Sequence, residues 1–183
     1  MERLFIVARP HVLMNEFQQV WWEQARSDFA VFEKMRGDGT ATCHVLHYFQ
    51  MSTEKLGKAF LWRTGSPPPA RHVGFAQLMQ GLGQVRGPKN RKRVANLFDF
   101  GRYGEFQSWI TSVMPIVHEV HKLAPACAND GPNPEYPWPH KAPTNSPVNH
   151  DFQVWHQLTT GPGRGLMRFV SRAITVFPEI ASP

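Results

Sequence analysis

Two cysteines in 183 residues, Cys43 and Cys127, exclude a disulfide framework, and their separation fits no metal or redox spacing. A reducing compartment, the cytoplasm, is the simplest expectation. No stretch approaches the ~20 apolar residues that a membrane-spanning helix needs. The opening MERLFIVARPHVLM holds a short apolar run, without an h-region of signal length or a small-residue cleavage site. There is no Gly-rich phosphate loop, no serine elbow and no HExxH helix. Those absences remove the common nucleotide, acyl-hydrolase and zincin signatures and imply no cofactor. No run alternates apolar with polar residues, so a sheet is not expected.

What is present is aromatic and basic. The 13 Phe, 6 Trp and 3 Tyr must be buried or must form an interface. At 42% hydrophobic and 19% charged, the chain is too apolar to be disordered. A net charge of +6 and an isoelectric point near 9.7 fit contact with nucleic acid or another polyanion.

Helical periodicity covers most of the chain. Residues 14–36 set Phe17, Val20, Trp21, Ala25, Phe29, Phe32 and Met35 at three-and-four spacing, and Gly37-Asp38-Gly39 breaks the pattern. The clearest helix spans 40–63, with Leu46, Phe49, Thr53, Leu56 and Phe60 on one stripe and Val45 and Ala59 at its edge. Asp38 or Thr40 is available to cap it, and Gly65 with the prolines 67–69 ends it. A third helix is expected from about Arg71 to Val85, with Val73, Phe75, Leu78, Met79 and Leu82 inward. The basic run Arg86 to Arg93, broken by Gly and Pro, reads as an exposed loop. Phe106 to Leu123 is helical again, with a kink or local break expected at Pro115. The proline-dense segment 125–147 reads as an extended strap over the surface. A short helix follows over Asp151 to Leu158. The last starts near Pro162, buries Leu166, Phe169, Val170, Ala173, Ile174 and Phe177, and stops at Pro178. The expected fold is one all-α domain over 1–183, an up-and-down bundle of four to six helices. Its core lies in about 14–124 and 162–177, with 125–150 irregular.

Particular residues carry a family likeness. Trp21-Trp22-Glu23-Gln24-Ala25-Arg26-Ser27-Asp28-Phe29 sets an aromatic before Gln-Ala and then an Asp before an apolar residue. His44 to Ala59 sets Gln50, Glu54-Lys55 and Lys58-Ala59 at a distinctive spacing, and Arg71-His72 opens the segment that runs to Leu78. Over about residues 18–86 the chain resembles the HEPN domain family. From 104 onward only Asn133-Pro134-Glu135-Tyr136-Pro137 is similar to that family's Arg-Tyr-Pro element. The resemblance implies an up-and-down bundle that often dimerises. It also implies one of three roles: an RNA-cleaving toxin or defence effector, a partner of a minimal nucleotidyltransferase, or a non-catalytic nucleotide- or RNA-associated module. No Asp-x-Asp occurs, so the chain is not expected to be the nucleotidyltransferase itself.

At 100° per residue, His44, His47, Met51, Glu54 and Lys58 lie opposite the apolar stripe of the second helix. His44, His47, Glu54 and Lys58 are therefore the expected ligand or partner face, against the simpler reading of a solvated face with one Glu54–Lys58 pair. Ribonucleases of the family carry an Arg, four to six intervening residues, then a His. No Arg here has a His at that distance: the gaps from Arg36 to His44 and from Arg63 to His72 are too long, and Arg71-His72 is adjacent. The leading expectation is a dimeric, non-catalytic binding or regulatory module in a stress or defence, toxin–antitoxin-like, setting. The alternatives are a metal-independent ribonuclease with an atypical Arg/His pair and a metalloprotein. In the latter, His44/His47 and His118/His121 would converge with Glu54 or Glu119. Phosphate contact is expected at Arg86, Lys89, Arg91, Lys92 and Arg93, and at Arg164, Arg168 and Arg172, four apart on the last helix. Such contact is electrostatic and salt-sensitive. No aromatic-interleaved pattern points to base stacking.

Overall fold

The computed structural model describes residues 14–62 and 73–181. Helix α1 (Glu16–Gly37) begins at Asn15, whose side chain accepts from the Gln18 amide while the Gln18 side chain accepts from the Asn15 amide. This reciprocal cap satisfies two otherwise orphaned donors. Gly39, at φ +69°, turns the chain into α2 (Thr42–Leu61). The two helices run antiparallel. Asn15 Nδ2 donates to the Trp62 carbonyl at one end, and Phe32 packs on Phe49 further along with ring centroids 4.8 Å apart.

The stripe read from 40–63 is buried as a unit: Leu46, Phe49, Thr53, Leu56 and Phe60, with Val45 and Ala59. The expected cap is not used. Asp38 ends α1, its amide donating to the Lys34 carbonyl, and Ala41 precedes α2 without a side-chain cap. On α1, Ala25, Phe29 and Phe32 are buried as expected, but Phe17 and Val20 are exposed, because the inward face in the first turns is the one that carries Gln18, in line with Ala25, Phe29 and Phe32. Phe17 stacks on Trp62 instead.

Helix α3 (Gly74–Gly83) crosses α2 backbone to backbone, with Gly57 against Gly74. The expected start at Arg71-His72, the helix-ending Gly65 and the prolines 67–69 lie outside the described residues. The basic run is not a loop. It forms α4 (Pro88–Leu97), where Gly87 at φ +81° separates it from α3 and Pro88 occupies the first turn. Proline is well placed there, since its missing N–H would be unbonded anyway. Val94 and Ala95 anchor the helix to the core.

Helix α5 (Tyr103–Lys122) runs through Pro115 without a break. Pro115 and Thr111 are both exposed, so the Thr111 carbonyl that loses its partner can bond water. The proline-dense segment is a folded loop and not an extended strap. It contains α6 (Pro125–Ala128), a 3-10 turn at Pro147–Asn149 and an antiparallel bridge between Trp138 and Asn145. Trp138 is buried against His150 and Phe152, which is what folds the loop inward. Helices α7 (Gln153–Leu158) and α8 (Gly161–Thr175) follow as read. Pro178 does not end the chain's helices but enters the first turn of α9 (Phe177–Ala181).

The described residues thus hold nine α-helical segments, of which α1, α2, α5 and α8 are long, in an all-helical bundle. An aromatic seam joins the α4–α5 turn, α5 and α8. Phe98 stacks on Phe169 at 4.5 Å and on Phe106 at 5.3 Å, and Trp109 meets Phe169 at 5.1 Å. Among the described residues no helix is long and apolar enough to cross a membrane.

Candidate functional site

The polar face of α2 is turned inward over its second half, at Glu54 and Lys58. Gln50 is buried and donates from Nε2 to Glu54 Oε2 at 2.8 Å, while Lys58 Nζ donates to Glu54 Oε1 at 2.6 Å and lies 4.9 Å over the Trp21 ring. One step round the helix, Lys55 Nζ donates to Asp28 Oδ2 at 2.6 Å, and Gln24 Nε2 donates to Asp28 Oδ1 at 3.2 Å. Gln50, Glu54 and Lys58 thus form a ladder along α2 that meets α1 at Trp21, and Lys55 separately ties α2 to the Gln24–Asp28 pair of α1. The void beside Gln50, Thr53, Glu54 and His121 is about 10 Å³, room for a single water at most. No substrate of any size enters there.

The four residues expected as a ligand face have separate fates. His44 is exposed. His47 Nδ1 lies 3.4 Å from Glu135 Oε1 of the proline-dense loop, a contact without hydrogen-bond geometry. Asn133, buried, holds the backbone of that loop turn by accepting the Glu135 and Tyr136 amides on Oδ1 at 3.1 and 2.8 Å. Glu54 and Lys58 belong to the ladder. His118 is exposed, and His121 Nε2 lies 3.6 Å from Cys127 Sγ. Among the described residues no group of three His, Cys, Asp or Glu is placed to hold a metal ion, so the convergence of His44/His47 with His118/His121 is not formed. Burial, and secondarily the charge of Glu54, pushes the Cys127 thiol above its ordinary value of 9.0.

The basic features divide similarly. On α4, Arg91 Nε donates to the Val85 carbonyl at 3.0 Å and its guanidinium covers the Tyr103 ring, and Arg93 Nη2 donates to the Glu179 carbonyl at 2.8 Å. Both are structural ties, while Arg86, Lys89 and Lys92 are exposed. On α8, Arg164 donates to the Thr159 carbonyl. Arg172 Nε donates to the Leu97 carbonyl at 2.7 Å and lies 3.8 Å from Asp99 Oδ2. The Arg168 side chain has no hydrogen-bond or ion-pair partner among the described residues.

Arg168 stands between two clefts. One, of about 320 Å³, has an aromatic lining of Phe98, Phe100 and Trp109, with Arg168, Arg172 and Asp99 also at its wall. The other, of about 260 Å³, is lined by Glu33, Arg36, Arg164 and Arg168. Fold and surface together define a class: an all-α helical bundle carrying an arginine-rimmed cleft with an aromatic wall. In comparison with known proteins, the chain matches no family model, no curated protein and no solved structure.

The arginine row of α8 was legible at its four-residue spacing. Trp109, Phe100 and Arg36 were not read as site residues. Trp109 fits the apolar pattern of α5, and Arg36 reaches α8 only through the fold, with its Nη1 donating to Met167 Sδ at 3.4 Å.

Proposed function

We propose that this protein is a non-catalytic, HEPN-like helical module that binds RNA or nucleotide and regulates a response to stress or attack. A homodimer and a nucleotidyltransferase-type partner are the associations that go with this reading. The observation that carries it is the row Arg164, Arg168 and Arg172 on α8, joined by Arg36 of α1 along two clefts. Like charges four residues apart on a helix repel, and phosphates laid along the row would relieve that repulsion. Arg86, Lys89 and Lys92 on α4 add to the positive field that draws a polyanion in.

The lack of a suitably spaced Arg and His supports a non-catalytic role, as does the engagement of Glu54 and Lys58 within the protein's own ladder. A fluorescein-labelled RNA oligonucleotide should bind with an affinity whose logarithm falls by roughly 0.7 per neutralised phosphate for each tenfold rise in salt. Its length on a denaturing gel should stay unchanged. Cleavage that disappears on altering a single Arg or His would replace this reading with a ribonuclease. Absence of binding even at low salt would end both.

A further inference from the structure

We propose that the cleft between the α4–α5 turn and α8 holds one nucleobase of a single-stranded nucleic acid, with the flanking phosphates running over Arg168 into the cleft beside Arg36. This inference rests on the RNA-binding reading and names its site. The argument begins with the wall. Trp109 and Phe100 are only partly buried although they belong to the aromatic seam, and their rings meet at 5.6 Å. A planar base offered to such a surface stacks on it whatever its identity. Gly165, on α8, keeps the space open: a Cβ there would lie 3.2 Å from Trp109 Nε1 and crowd the indole.

The rim then separates a nucleic acid from a merely aromatic ligand. Arg168 is unengaged among the described residues and borders both clefts, so a phosphate bound to it can be followed by a second near Arg164 and Arg36. Two carboxylates oppose this arrangement, Glu33 beside Arg36 and Asp99 beside Arg172. Asp99 is exposed, sits at φ +61° and brings its carboxylate within 3.8 Å of Arg172 Nε. It acts as a stand-in anion that the incoming phosphate competes with. A free mononucleotide offers the same base and phosphate, but it cannot reach both clefts. Continuity across Arg168 favours the strand.

The test uses the full-length protein with a labelled decamer of oligoadenylate, and AMP as the short competitor. Arg168→Gln, at an exposed position, should weaken decamer binding and lower the salt slope by about 0.7. Trp109→Ala should weaken it by roughly 5- to 160-fold, the range that corresponds to loss of one stacked base. Because that variant removes packing, Trp109→Phe is the companion. It should keep the fold and most of the affinity but abolish the quenching of indole emission by bound decamer. Asp99→Asn should tighten binding, and AMP should compete far more weakly than unlabelled decamer. If the Trp109 variants leave affinity and quenching unchanged while Lys89→Gln with Lys92→Gln abolishes binding, this site is wrong and RNA binding stands elsewhere. Equal competition by AMP and decamer would overturn the continuous strand. No binding of the decamer by the unaltered protein would remove the site and the broader reading together.

Discussion

At Gly57 two physical effects of one methyl group point in opposite directions. Helix propensity favours alanine over glycine by about 1 kcal/mol in a helix interior. The Cβ it adds, however, would lie 2.2 Å from the carbonyl carbon of Gly74 and 2.3 Å from the Phe75 amide nitrogen, both backbone atoms of α3. Backbone cannot swing aside as a side chain can, so overpacking wins. Gly57→Ala should cost at least about 2 kcal/mol of unfolding free energy, read as a lower urea midpoint at unchanged slope. A neutral or stabilised variant would mean that α2 and α3 do not cross at this point. Cys127 offers a second residue-scale prediction. Its pKa is raised, first by burial and then by Glu54, so the thiol stays protonated at neutral pH and should react with iodoacetamide more slowly than a free cysteine. Glu54→Gln removes the opposing negative charge and should speed the reaction. The folded thiol holds its proton beyond the ordinary value of 9.0, so the fold should lose stability as pH climbs past that point. Neither effect was legible beforehand. Gly57 looked like one small residue in a good helix, and Cys127 like an isolated thiol, because both depend on what a distant segment brings alongside.

At the scale of elements, the α1–α2 pair shows what periodicity can and cannot say. The apolar stripe from Leu46 to Phe60 was readable because burial of one face imposes a 3.6-residue repeat whatever the partner helix is. The opposite face carries the same repeat in polar residues. Nothing in that repeat says whether it meets water, a ligand or another helix. Here Lys58 meets Trp21 of α1, His47 meets the loop around Glu135, and His44 meets water. The α4 segment failed for the converse reason. Gly87-Pro88 signals a turn, and the basic residues behind it signal solvent, yet a proline in a first turn starts a helix as readily as it ends one. The Asp28–Lys55 pair gives the element-scale prediction. Both side chains are largely buried, so Asp28→Ala strands an ammonium between the helices. Lys55 can extend part of its length toward water, which brings the cost to about 2–3 kcal/mol, at or below the usual range for breaking a buried pair. Replacing both, Asp28→Leu with Lys55→Met, should recover most of that loss, since apolar residues of similar volume fill the same space. A double-mutant cycle in urea measures the coupling, and strictly additive losses would mean the two charges are not paired.

At the scale of the whole molecule, charge and stability pull against each other on α8, and that opposition separates a binding surface from a merely solvated one. Arg168 has Arg164 one turn before it and Arg172 one turn after it, and it has no internal partner among the described residues. Each like-charge pair at this spacing costs about 0.2–0.5 kcal/mol, so Arg168→Gln should stabilise the unliganded protein by about 0.4–1 kcal/mol. For a chain of this length that corresponds to a rise of roughly 1–4 °C in Tm. Arg172 supplies the internal control, because its hydrogen bond to the Leu97 carbonyl ties α8 to the end of α4. Arg172→Gln should lower Tm although it removes the same charge. Differential scanning calorimetry without nucleic acid, beside RNA titration of the same variants, reads both quantities. A binding arginine raises stability when removed and lowers affinity. A solvated one raises stability and leaves affinity alone, and a structural one lowers stability. If Arg168→Gln melts earlier than the unaltered protein, the side chain is holding the fold together, and the row on α8 loses its standing as a surface kept for a phosphate chain.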